Sequence, residues 1–286
     1  MILNDFIFSY KNILLNRLKK KKYFSFLRKI VGIFFKFLIR EIKYIFFKDY
    51  QNLDLKNHIN QRYYSFTLNE IFKEFNCDKG FSFKFQNKEI FSHQYSEFYE
   101  KKLKDFKNKN INILEIGSHD GKGIASFYYY FPKAKIVGAN INPFQLKYKS
   151  KRIREIYVDV ASKEVLKNLS GYLTNKFDII IDDASHNIRD IFITLSVFFK
   201  KLNNGGYYII EDIDQHKVFT ELNPNSTKFT PLEFLKKLSN NENAVSEYLS
   251  NDEIDYLKKN IKEYYFEKGA MVYENQNISD IVFLRK

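Results

Sequence analysis

FDIIIDDASHN (residues 177–187) is the stretch whose reading decides the fold. Its apolar run Ile179, Ile180, Ile181 shows no polar alternation, as in a strand buried on both faces, and it leads directly into Asp182 and Asp183. A second stretch, GGYYIIEDID (205–214), repeats the arrangement, with Tyr207 to Ile210 followed by Glu211 and Asp212. Open α/β sheets bind their ligands at the carboxyl ends of their strands. Two acidic strand ends therefore predict one metal site.

Working outward, strand-like runs alternate with helical stretches from Ile111 onward: INILEIG, a helix after Gly123, KIVGAN, EIYVDV, a helix around Lys163 to Leu173, FDIII, a helix from Ile188 to Leu202, and YYIIED. That alternation predicts βαβ units and right-handed crossovers. The tail EYYFEKGAMVYE and DIVFLRK reads as two more strands closing the sheet as a hairpin-like edge. The expected fold is α/β and Rossmann-like, a doubly wound and mostly parallel sheet with an antiparallel C-terminal edge and a helical N-terminal arm. Residues 1–60 are expected to form the arm, 61–110 a lead-in segment and 111–286 the Rossmann-like domain. Asn203 to Gly206 and Leu222 to Thr230 read as loops.

The chain has 286 residues, 44% of them hydrophobic, enough for a large core, and its single Cys77 excludes a disulfide framework and any cysteine-based metal site. One thiol favours a reducing cytosol. The net charge of +13 raises nucleic acid or an anionic membrane as a partner, although a composition rich in Lys, Asn, Ile, Phe and Tyr without Trp also follows from AT-rich codons. Between Phe24 and Phe47, the residues Arg28, Lys29, Lys36, Arg40 and Lys43 fall on one arc of a helix, and Phe, Ile and Leu fill most of the rest. Its uncharged run, Ile30 to Phe35, is too short to cross a bilayer, and no signal-peptide cleavage pattern follows it. With Lys19 to Lys22 before it, residues 19–48 suit an anionic membrane face; the plainer reading packs this helix on the following domain or on a second subunit.

LEIGSHDGKG (114–123) ends a strand and turns through glycines into a helix, where backbone donors and the helix dipole can meet a ligand. It is neither a Walker loop nor the dinucleotide GxGxxG. Together with FPKAKIVGANINP, IDDASH and GGYYIIED, it resembles class I S-adenosylmethionine-dependent methyltransferases. Within them the resemblance is to the metal-dependent macrolide-sugar O-methyltransferases and their cephalosporin hydroxylase-like relatives. It covers about residues 77–275, with CDKG (77–80) and HQYSEFYE (93–100) resembling the segment before the fold; the resemblance does not extend to the first 60 residues.

The resemblance assigns Glu115, Gly117 and Gly121 to the cofactor's amino-acid and ribose end, Asp159 to its adenine side, and Asp182 to its neighbourhood. It assigns Asp183, Glu211 and Asp212 to magnesium and His186 to the general base. Asn140 stands where the family has an acid for the ribose hydroxyls, which replaces charge-assisted bonds by neutral ones. His93, Tyr95 and Tyr99 line the acceptor pocket on one reading and pack the lead-in helix on the other. The implied activity is methyl transfer from S-adenosylmethionine to a sugar or glycoconjugate hydroxyl; the basic arm, not the resemblance, would place it in surface polysaccharide tailoring at the inner membrane. An RNA methyltransferase, favoured by the charge, and a non-catalytic glycan- or partner-binding member of the fold are the rival readings.

Overall fold

The computed structural model describes residues 3–21, 23–56, 62–63, 65–223 and 229–286, with residues 3, 23–31 and 34 described by their backbone alone. Among these residues one seven-stranded sheet organises the molecule. Its strands are β1 (Asn112–Ile116), β2 (Lys135–Asn140), β3 (Ile153–Tyr157), β4 (Phe177–Asp182), β5 (Leu202–Ile210), β6 (Glu263–Lys268) and β7 (Asp280–Arg285). They lie in the order β6-β7-β5-β4-β1-β2-β3, and β7 runs antiparallel to both neighbours. This is the expected mostly parallel, doubly wound sheet. The last two strands pair as foreseen, but β7 slots between β5 and β6, so the outer edge is a strand parallel to the rest.

Alternation along the central strands divides the core into two layers. Leu114, Ile116, Ile180, Tyr208 and Ile210 face one side, where they meet α6 (Lys163–Tyr172), α7 (Ile188–Phe198) and α8 (Pro231–Ser239) through Leu166, Phe192 and Phe234. Ile113, Ile179, Ile181 and Ile209 face the other, against α3 (Leu68–Glu74), α4 (Ser96–Leu103) and α5 (Lys122–Tyr130) through Phe72, Tyr99 and Phe127. Burial on both faces explains the unbroken apolar runs of the sequence. The helices start where side-chain oxygens meet free amide groups: Ser162 caps α6, Asn187 caps α7, and Thr67 and Thr230 form reciprocal capping boxes with Glu70 and Glu233. Asn203 to Gly206 are not a loop; they continue β5, with a register shift near Phe177 accommodating them. Of the expected loop at Leu222 to Thr230, residues 224–228 lie outside the described ones.

The arm consists of α1 (Leu3–Lys19) and α2 (Tyr23–Phe46). Helix α1 packs along edge strand β3: Asp5, buried, accepts two hydrogen bonds from Arg154 at 2.6 and 3.0 Å and one from Tyr172 at 2.9 Å. Ser9 accepts from the Tyr157 amide at 3.0 Å. An open sheet edge is thereby covered by a helix. Lys36, Arg40 and Lys43 of the expected basic arc lie on α2; the side chains of Arg28 and Lys29, and all of Lys22, fall outside the described residues. On the same helix Phe35, Leu38, Ile42, Ile45 and Phe46 are exposed. No described helix is long and apolar enough to cross a membrane.

Replacing Asp5 by Ala removes three hydrogen bonds, two of them from a guanidinium, and is expected to lower stability by about 2 kcal/mol. The arm should loosen with it. Urea denaturation measures the first effect, and faster tryptic cleavage at Lys19 to Lys21 the second; a cleavage rate equal to the parent's would show that Asp5 does not hold the arm.

Candidate functional site

Sheet register sets the site. Ile116 is level with Asp182 on one side and Ala139 on the other, Asp182 with Ile210, and Asn140 with Tyr157. The next residues along each strand therefore stand in a row at the carboxyl ends: Asn140, Gly117, Asp183 and Glu211. Main-chain bonds lock them, Gly117 N–H to Ala139 O at 2.8 Å, Asp183 N–H to Ile116 O at 2.9 Å and Glu211 N–H to Asp182 O at 3.0 Å. Gly117 has φ of 98°, and a Cβ there would come within 1.8 Å of the Asp183 carbonyl oxygen. Only glycine permits this approach of two strand ends. Gly121, at φ 91°, opens α5 in the same left-handed conformation.

The acidic cluster is organised around a residue that the sequence reading passed over. Lys79, 3% exposed, places its Nζ 2.6 Å from Asp183 Oδ2, 2.5 Å from Glu211 Oε2 and 3.7 Å from Glu115 Oε1. Burial opposes its charge, but these carboxylates outweigh burial and hold the ammonium well above its ordinary range. One ammonium shared by three carboxylates leaves the group short of positive charge. Burial pushes Glu115 up to about 7 and Glu211 up to about 8, Lys79 opposing in both cases. Glu115 Oε2 is buried without a hydrogen-bond partner. The single hint of Lys79 in the chain is its place in CDKG; no spacing relates it to residues 183 or 211.

His93, Tyr95 and Tyr99 do come to the site, but onto the acidic residues. Tyr95 OH donates to Asp212 Oδ1 at 2.5 Å, Tyr99 OH donates to Glu211 Oε1, and His93 Nδ1 lies 3.1 Å from Asp212 Oδ1. All three are buried. Burial alone would raise Asp212; the charge of His93 and, with it, the Tyr95 hydrogen bond outweigh burial and hold the carboxyl below its ordinary range. His93 moves the opposite way, up to about 9, because Asp212 overcomes the burial that lowers it.

Asp183, His186 and Asp212 each offer one ligand atom within 4.8 Å of the others. His186 Nε2 is 3.7 Å from Asp183 Oδ1. Glu211 stands beside this group, turned to Lys79 and Tyr99. His186 and Asp212 both adopt φ of 53°, an uncommon conformation for side-chain-bearing residues that costs energy and clusters at functional sites. Asp182 points to the opposite face, where the Tyr208 hydroxyl donates to it at 3.1 Å and burial raises it to about 8.

On the other side of Gly117, Asn140 donates through Nδ2 to the His119 carbonyl at 3.0 Å. Asp159 is tied to the arm: its Oδ2 accepts from Asn16 at 2.6 Å and Lys20 at 2.7 Å. Above the glycine turn, a cavity of about 180 Å³ is lined by Lys79, Glu115, Gly117, His119, Lys122 and Asp183. The row thus offers backbone donors and a glycine cradle at one end and a cluster of carboxylates with an imidazole at the other.

A family model described as a methyltransferase domain matches residues 107–270. The mycinamicin VI 2''-O-methyltransferase of Micromonospora griseorubida is 29% identical over 130 residues, 43% of this chain and 32% of that protein. An 8-demethyl-8-alpha-L-rhamnosyl tetracenomycin-C 2'-O-methyltransferase of Streptomyces olivaceus is 26% identical over 155 residues, 51% of this chain and 40% of that protein. The chain thus spans about a third to two fifths of the length of these curated relatives. Among solved structures, a methyltransferase from the mycinamycin biosynthetic pathway, in complex with Mg, SAH and mycinamycin VI, shares the fold with a TM-score of 0.57 at 22% identity, over 77% of this chain and 54% of that one.

Lys79→Met removes the cation from between buried carboxylates and is expected to lower unfolding free energy by about 3–5 kcal/mol. Adding Glu211→Gln to that variant leaves one fewer buried charge and should recover part of the loss. Urea denaturation of the two variants checks both; an unchanged midpoint for Lys79→Met would mean that its ammonium does not hold the cluster.

Proposed function

The chain belongs to the methyltransferase-domain family, and from that premise we propose that it is an S-adenosylmethionine-dependent O-methyltransferase assisted by Mg²⁺, with a sugar or glycoconjugate hydroxyl as acceptor. The observation that carries this reading is the level row of strand ends, which sets Asp183 and Asp212, with His186, beside the glycine turn at Gly117. One of the matched relatives is by name a 2'-O-methyltransferase of an alpha-L-rhamnosyl tetracenomycin-C, which supports a sugar acceptor.

The residues fit a hard divalent ion. Burial without enough positive charge holds Glu115 and Glu211 above their ordinary range, and a divalent ion beside Asp183 and Asp212 would supply the missing charge. We propose that Asp183, Glu211 and Asp212 hold it. When bound, Mg²⁺ would make an acceptor hydroxyl more acidic and fix its direction. Glu115, Gly117 and Gly121 are proposed to receive the amino-acid and ribose end of the cofactor, Asn140 to face its ribose, and Asp159 and Asp182 to border its site. The side-chain oxygen of Asn140 is left to accept from a ribose hydroxyl, because its nitrogen is committed to the His119 carbonyl. His93, Tyr95 and Tyr99 hold the acidic residues in place.

His186 is proposed to accept the hydroxyl proton at an imidazole nitrogen. A second role is favoured by its position in one cluster with Asp183 and Asp212, that of a fourth ligand. Loss of turnover with metal affinity intact in His186→Ala identifies the base; loss of metal affinity identifies the ligand. Methyl transfer is an in-line displacement, so positioning supplies much of the remaining acceleration. For the arm we propose a cytoplasmic enzyme held peripherally at the inner face of a membrane through residues 19–48, acting in surface polysaccharide tailoring; the exposed apolar residues of α2 support this.

Asp183→Asn is expected to lower Mg²⁺-dependent turnover on a panel of deoxysugar glycosides on the order of 10²-fold, since a ligand orients as well as activates. Calorimetry should show S-adenosylhomocysteine binding largely retained. Full activity of the variant, or of the parent protein in excess chelator, would remove the metal from the mechanism.

A further inference from the structure

A cavity of about 660 Å³ lies between the arm and the carboxyl ends of β2 and β3. The sheet side is lined by Ile141 to Gln145, which follow β2, and by Tyr157 and Asp159 at the end of β3, so this is where the ribose and adenine of the proposed cofactor lie. The arm supplies the facing wall, through Ile13 and Asn16 of α1 and Ile33 of α2 among others. Ile13, Ile33, Ile141 and Phe144 offer apolar surface to the flat faces of a base. The edge of the base needs polar partners.

Those partners are fixed by hydrogen bonds already made. Asn16, 8% exposed, spends its Nδ2 protons on the Tyr157 hydroxyl at 2.8 Å and on Asp159 Oδ2 at 2.6 Å. A carboxylate only accepts, so the amide is turned one way, and its Oδ1 accepts no hydrogen bond from the described residues. The Tyr157 hydroxyl, which accepts from Asn16, keeps its own proton to donate, and no acceptor among the described residues takes it. Burial is the main cause that pushes this hydroxyl up to about 12, so the proton stays on it. Asp159 has less to offer, because its Oδ2 already accepts from Asn16 and Lys20 and its Oδ1 from the Ala161 amide at 3.2 Å.

An acceptor and a donor therefore stand side by side on the cavity wall, joined by the bond between Asn16 and Tyr157. The Watson–Crick edge of adenine carries the complement, a 6-amino donor next to the N1 acceptor; hypoxanthine carries the inverse, a carbonyl oxygen next to an N1–H. We propose that Asn16 and Tyr157 read the adenine of the cofactor, Asn16 Oδ1 accepting from the 6-amino group and the Tyr157 hydroxyl donating to N1. This deepens the S-adenosylmethionine reading above and rests on it. Asp159, which the resemblance sets at the adenine, is a positioning residue that turns the Asn16 amide. Half of the base recognition then comes from the arm, outside residues 107–270 that the methyltransferase-domain model matches.

The test is calorimetry on the full chain with S-adenosylhomocysteine and with S-inosylhomocysteine, which carries hypoxanthine. The parent protein should bind the adenosine compound about 10-fold or more tightly, because hypoxanthine sets an oxygen against Asn16 Oδ1 and an N–H against the Tyr157 proton. Asn16→Leu, of nearly the same size, and Tyr157→Phe should each lower that ratio about threefold or more. A merely structural role for either residue would weaken both compounds alike and leave the ratio where it was. Circular dichroism melts report the folding of each variant, and Tyr157→Phe, which keeps the ring, carries the test if Asn16→Leu does not fold. A parent-like ratio in either folded variant would overturn the proposal and return the base to Asp159. Equal affinities of the parent for the two compounds would overturn the base reading and leave the cofactor standing, whereas no binding of S-adenosylhomocysteine by the parent would overturn the proposed function with it.

Discussion

Three carboxylates and one ammonium at the ends of β1, β4 and β5, all buried except the half-buried Asp183, are the constraint on which the site depends. Glu115, Asp183 and Glu211 come from three adjacent strands, and parallel pairing forces them together whatever their charge. Buried carboxylates without a counter-charge would repel one another or take up protons. Lys79 answers this from outside the sheet, on the segment between α3 and α4, where its carbonyl also accepts from the Tyr95 amide at 2.9 Å. The same segment then sends Tyr95, Tyr99 and His93 onto Asp212 and Glu211. The lead-in segment is therefore the electrostatic complement of the strand ends, and its docking and the shape of the site are one event.

Much of this was legible in the chain. Strands buried on both faces announce themselves as unbroken apolar runs, and acids at their ends mark the ligand side of an α/β sheet, so Asp183, Glu211, Asp212 and the Gly117 turn were readable without coordinates. What escaped follows from physics that leaves no local trace. Lys79 meets Asp183 and Glu211 across more than a hundred residues, and nothing about a lysine in a turn distinguishes a buried counter-ion from a solvated one. His93, Tyr95 and Tyr99 could be placed near the site but not oriented, since both an open pocket and a packed helix use aromatic residues. Asn203 to Gly206 looked like a loop because Asn and Gly break strands by propensity; the strand runs through them as an irregularity between the paired Leu202 and Tyr207, and main-chain bonds of Gly205 and Gly206 with Lys286 hold it.

Asn140 is instructive in the same way. By resemblance it counts as a missing acid, a loss of charge at the ribose. In the structure its nitrogen donates to the His119 carbonyl, a bond that a carboxylate cannot make and would replace by repulsion between two oxygens. An amide at the end of β2 ties the second strand to the glycine turn that follows the first. The departure from the family pattern is thus coupled to the geometry of the turn, and an acid at this position would have to find its donors elsewhere.

The arm, which lies outside the stretch matched by the methyltransferase-domain model, is integrated at the far end of the same row. Its Asn16 and Lys20 hold Asp159, and its Arg40 holds Glu155, whose other oxygen accepts from the amides of Phe144 and Leu146 in the loop after β2. The cationic arm therefore shapes the β2 and β3 side of the cleft, while the acids of β4 and β5 shape the other. Along one line of strand ends the charge runs from positive to negative. On the proposed chemistry, a cofactor whose reactive centre is a sulfonium is drawn by that field toward the carboxylates, and its adenosine is left against the arm. Any event that shifts α1 then acts on Asp159, and one that shifts α2 acts through Glu155 on the loop after β2. The basic helices and the end of the row where the cofactor is proposed to lie are mechanically one unit.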